Sequence, residues 1–96
     1  MKTLSIGQTT KGPRVWLQNT SGTYGAQWHE GARYNVTLDT EGHTVTLQLS
    51  PEGKRKVSAG KGGIIDLCGK KFAMVFPEGD SVDILHEGDT IIVMGE

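Results

Sequence analysis

The chain has 96 residues, of which 35% are apolar, with 14 glycines, three prolines and a formal charge of -1. That is room for one domain with a small core shared by all its elements; it excludes two independently folded domains, and the near-neutral balance excludes a uniformly basic nucleic-acid binder. No segment approaches the roughly 20 apolar residues that span a bilayer, and "MKTLSIGQTT" has no leader-like apolar stretch, so no membrane partner and a cytoplasmic setting are expected. The single Cys68 has no partner for an internal disulfide.

Abundant Gly with Val, Ile and Thr predicts short strands and turns in place of long helices. Residues 1–13 are expected to be a frayed tail. "RVWL" (14–17) is a short apolar strand, and the Gly-rich "QNTSGTYGAQW" that follows reads as a loose connector. Tyr34, Val36 and Leu38 then alternate with polar residues, as do Val45, Leu47 and Leu49, which predicts a half-buried hairpin. Residues 50–63, "SPEGKRKVSAGKGG", form a basic Gly-rich linker. The order then recurs in residues 64–96: "GIIDL" is a strand, "GKKFAMVF" a connector of one or two helical turns, and "SVDILHEGDTIIVM" a second hairpin.

Aligning Glu30-Gly31 on Glu78-Gly79 sets Tyr34 on Val82 and Val36 on Ile84, an offset of 48; beyond the turn Thr44 falls on Thr90 and Val45 on Ile91, an offset of 46. Residues 14–49 and 64–96 therefore read as two tandem strand–connector–hairpin units. Three short strands cannot bury their apolar face alone, so the units are expected to pack about a pseudo-twofold axis in a single mainly β domain with at most short helical turns. Equal spacing gives Tyr34, Val36, Val45, Leu47, Val82, Ile84, Ile91 and Val93 one shared core.

Charge runs in a gradient: residues 1–50 sum to +1, 51–63 to +3 and 64–96 to -5. An anionic partner is expected around Lys54, Arg55, Lys56 and Lys61, where the linker acts either as a phosphate-contacting arm or as a solvated spacer. Lys70 and Lys71 extend the basic surface if the second connector lies nearby. Arg14 and Arg33 sit at strand ends, able to reach phosphate or to pair with Glu30 or Asp39. Trp16, Trp28 and Tyr34 could stack on unpaired bases, but for Trp16 the core is the favoured reading.

Chemistry is thinly represented. His29, His43, His86 and Cys68 lack close ligand spacing, so no metal and no cofactor is expected. Gly53 and Gly60 have six residues between them and Lys61 precedes Gly62, which does not fit a nucleotide-binding phosphate loop. Asp66, inside an apolar strand, is read as a cap for the connector or an outward edge residue, and no residue is assigned a catalytic role.

The succession "RVWL", "GARYNV", "KRKVS" and "IIDL" with the hairpin pattern resembles the AbrB-like swapped-hairpin fold, and more narrowly the SymE-like family. It also resembles a small tandem domain found in phages and prophages ahead of cytosine DNA methyltransferases. The resemblance spans residues 14–94. It implies a swapped-hairpin barrel and a DNA-binding regulator, antitoxin or anti-defence module, with RNA as the other nucleic acid and ribonuclease activity a weaker implication. The alternative is an inhibitor whose acidic Glu78, Asp80, Asp83, Glu87 and Asp89 block a basic host or phage protein. Either acts as a monomer with pseudo-dimeric halves or as a homodimer.

Overall fold

The computed structural model describes residues 2–10, 12–19, 23–60, 63–76 and 81–95, with the backbone alone at 2, 8 and 9. In chain order it contains β1 (Lys2–Ser5), β2 (Gly7–Thr9), β3 (Gly12–Gln18), a 3-10 turn (Ala26–Trp28), β4 (Arg33–Asp39) and β5 (Thr44–Leu49). There follow β6 (Arg55–Lys56), β7 (Ile64–Cys68), α1 (Lys70–Val75), β8 (Ser81–Glu87) and β9 (Thr90–Gly95). Among the described residues no helix is long and apolar enough to cross a membrane.

Every strand pairing is antiparallel. One sheet has the order β1-β8-β9-β5-β4-β6 and the other β2-β3-β7. Ile6 carries the chain from β1 in the large sheet to β2 in the small one. Val57 does the same after β6, because Ser58 bridges Ile64 on β7 with bonds of 2.7 and 3.0 Å. The pairings thus close on themselves, giving a barrel-like mainly β fold. Both corner residues point into the core, Ile6 at 9% and Val57 at 2% exposure.

The registers obey the internal repeat. Tyr34↔Leu49 and Val36↔Leu47 in the first hairpin become Val82↔Gly95 and Ile84↔Val93 in the second under the sequence offsets of 48 and 46. Val45↔Val93 and Leu47↔Ile91, in the ladder between hairpins, exchange with each other, which puts a pseudo-twofold axis at Thr46↔Ile92. In the small sheet Trp16↔Asp66 is central, with Val15↔Leu67 and Leu17↔Ile65 on either side of it. Off the ladders, Leu49 N–H donates to Asp89 O (2.9 Å) and Gly95 N–H to His43 O (2.7 Å), again equivalent atoms. The change of offset lies in the turns: residues 40–43 separate β4 from β5, whereas Gly88 (φ 56°) and Asp89 alone separate β8 from β9.

The expected tail is corrected by these pairings. Leu4 and Gly7 meet Val82 and Arg14 just as Arg55 and Ser58 meet Tyr34 and Ile64, so residues 2–9 are the counterpart of the linker, and the repeat begins near Lys2. Each half's short leading strand pairs with the other half's hairpin, so neither half folds around its own core.

Of the eight expected core residues, seven are buried and Val36 is half-buried against them. Each connector adds aromatics: Trp28 from the first, Phe72 and Phe76 from the second. Each connector also holds the opposite hairpin's turn. Trp28 Nε1–H donates to Gly88 O at 3.1 Å, and His43 Nδ1–H donates to Val75 O at 2.8 Å.

Candidate nucleic-acid interface

The basic segment docks on an edge of the large sheet. A turn after Ser50 (Gly53 N–H to Ser50 O, 2.9 Å) lays the buried Gly53 against the backbone of Tyr34, too close for a side chain. From there Lys54 N–H donates to Asn35 Oδ1 at 3.3 Å, Arg55 pairs with Tyr34, and Lys56 pairs with Arg33. Arg33 Nη1–H reaches back to Gly53 O at 3.1 Å. The linker is therefore an ordered edge strand at residues 55–56, held by the backbone and free to carry cations outward.

Helix α1 brings Lys71 to the same place. Buried Phe72 anchors the helix, with Lys71 Nζ 5.5 Å and the Arg55 guanidinium 5.8 Å from its ring centre. Together Tyr34, Asn35, Val36, Lys54, Arg55 and Lys71 line an open groove of about 160 Å³. Three of the six are cations and none is an acid. Lys54 and Lys71 are exposed, while Arg55 is half-buried, with Nη1–H to Asp66 O at 3.4 Å. The solvated-spacer alternative therefore does not hold at Arg55.

The remaining candidates are dispersed. Arg33 and Lys56 are exposed and flank the groove on paired strands, and Lys70 is exposed at the first position of α1. Lys61 lies outside the described residues. Arg14 stands on the small sheet and pairs with neither Glu30 nor Asp39: its Nε–H and Nη2–H donate to the two oxygens of Asp66, each at 2.9 Å. Those bonds raise the Arg14 pKa further. They also explain Asp66, which is an outward strand residue and leaves the connector uncapped by its side chain. Trp16 is corrected from core to surface, at 42% exposure, while Trp28 and Tyr34 are interior. Asn35 was the groove residue that strand alternation marked only as outward-facing.

The axis relates this edge to one of different chemistry. Asn35, Lys54 and Arg55 correspond to Asp83, Thr3 and Leu4, and Thr3 Oγ1–H donates to Asp83 Oδ1 at 2.7 Å. The barrel thus presents an edge with Lys54 and Arg55 at one side and, at the equivalent positions on the other, Thr3 and Leu4 beside Asp83. Glu87 and Asp89 are exposed at the second hairpin turn; Glu78 and Asp80 lie outside the described residues. Among the described residues no three His, Cys, Asp or Glu side chains gather as a metal would require. His29, His43 and His86 each bond a backbone carbonyl. No protein-family model, curated protein or solved structure matches the chain.

Burial raises the pKa of Tyr24 and of Tyr34 above the ordinary value of 10.0; at Tyr34, Arg55 pulls the other way. Both phenols resist ionisation in the folded state, so the unfolded chain releases its protons first as pH rises. This contribution to stability is complete below pH 10 and is lost as pH climbs through the folded-state values. Urea midpoints should therefore fall as pH rises from about 9 to about 11. Tyr24→Phe and Tyr34→Phe should each flatten that fall, and an unchanged slope would remove the phenols as its cause.

Proposed function

We propose that the chain is a small nucleic-acid-binding module, with DNA as its ligand, serving a mobile element as a regulator or anti-defence factor in the manner of the AbrB-like and SymE-like proteins it resembles. The observation that carries the reading is the acid-free groove, where Lys54 and Arg55 at the edge strand meet Lys71 on the helix, 17 and 16 residues further along the chain. Cations at that density attract phosphates, and binding releases the counterions condensed on them. Arg33 and Lys56 extend the same edge. The corresponding edge on the other side of the barrel carries Asp83, which suits a footprint from one side only.

The test uses the two exposed lysines, because Arg55 also supports the fold. Lys54→Gln combined with Lys71→Gln should weaken binding of a labelled duplex at low salt and flatten the dependence of log K on log salt by roughly 0.9 for each phosphate no longer neutralised. Thermal melts should stay at the wild-type value. Wild type that binds neither duplex nor single-stranded DNA at low salt, or a double variant that binds like wild type, would sink the proposal. Binding of the chain to a cationic protein in place of DNA would favour the acidic-hairpin inhibitor.

A further inference from the structure

The outer face of the small sheet holds an exposed aromatic that the groove does not use. Alternation along β3 turns Val15 and Leu17 into the core and leaves Arg14, Trp16 and Gln18 outside. The Arg14 guanidinium lies 4.2 Å from the centre of the Trp16 ring. It is fixed there by its two 2.9 Å bonds to Asp66, which faces Trp16 directly across the ladder. The indole is thereby held in one place, with the clamped cation over one face of its ring and 42% of the residue open to water.

Asp66 also joins this platform to the groove. Its carbonyl accepts from Arg55, and Arg55 lines the groove with Lys54 and Lys71. The ring therefore stands one strand pairing, roughly 5 Å of backbone spacing, from the residue whose carbonyl Arg55 bonds.

Resting on the nucleic-acid reading above, we infer that the ligand is single-stranded DNA, with an unpaired base stacked on the face of Trp16 opposite Arg14 and the adjoining phosphates held by Arg55, Lys54 and Lys71. A base within a duplex has its faces covered by its neighbours and cannot lie on the ring, whereas an unpaired base of any kind offers a π-face. The choice of DNA over RNA rests on that same reading, and the 2′-hydroxyl is what tells the two strands apart.

Trp28 is fully buried, so quenching of tryptophan emission by added oligothymidylate will report Trp16. An equal length of duplex should quench much less. In anisotropy titrations Trp16→Ala should weaken strand binding by about 5- to 150-fold, the range expected when one base loses its stacking platform. Trp16→Phe should retain most of the affinity, duplex binding should be unmoved by either, and melting should not change. Duplex bound as tightly as the strand, or a strand affinity indifferent to Trp16→Ala while Lys54→Gln with Lys71→Gln lowers it, overturns this inference and leaves the wider reading standing. RNA of the same length bound more tightly than DNA overturns the choice of ligand. No binding to any probe overturns both.

Discussion

Trp28→Ala is expected to remove about 3–5 kcal/mol of stability, against a total of about 5–15 kcal/mol for a domain of this kind. The indole is fully buried and packs at 5.7 Å between ring centres against Tyr34, also buried. The change also removes the bond from Nε1–H to Gly88 O, which ties the first connector to the second hairpin. Melting should fall by roughly 15–30 °C for a chain of this length. Trp28→Phe separates the two contributions: it keeps most of the apolar volume and removes the hydrogen bond, for which about 1 kcal/mol is expected because Gly88 is exposed and water can replace the indole. A loss below about 1 kcal/mol for Trp28→Ala in a urea titration would mean that the first connector does not close the core.

The hairpins were legible because period-two alternation is a direct imprint of one wet and one dry face; Tyr34, Val45, Leu47, Val82, Ile84, Ile91 and Val93 fell where it put them. The leading strands were not. "KTLSIG" and "GKRKVS" share a buried position at Ile6 and Val57, and a strand that pairs through its backbone at a barrel edge can carry Leu4 in one copy and Arg55 in the other. Trp16 was misplaced for a related reason: three successive apolar residues, Val15, Trp16 and Leu17, conceal which parity faces inward, and the partner strand settles it. The cations Lys54, Arg55 and Lys71 were visible as local charge. Their convergence was not, because it depends on Gly53 bringing the segment against Tyr34, and nothing local in the sequence says that a glycine is there to permit two backbones to touch.

Gly53→Ala should therefore damage fold and binding together. A Cβ at this position would stand 2.6 Å from the Tyr34 carbonyl carbon and 2.7 Å from its Cα, nearer than such atoms ever come, and the obstacle is main chain that cannot turn aside. The segment has to lift from β4, loosening the Arg55↔Tyr34 pairing, the Lys54–Asn35 bond and the Arg33 bond to Gly53 O. Overpacking of this kind costs about 1–3 kcal/mol. The accompanying fall in DNA affinity should equal or exceed that of Lys54→Gln with Lys71→Gln, although no charge has been removed, and it should persist well below the melting temperature. Gly7→Ala is the matched control. Gly7 corresponds to Ser58 under the repeat, its added Cβ meets Arg14 O at an ordinary 3.6 Å, and both stability and binding should remain at wild type. If Gly53→Ala melts and binds as wild type does, the edge strand is not seated by this close approach, and the groove must owe its cations to some other constraint.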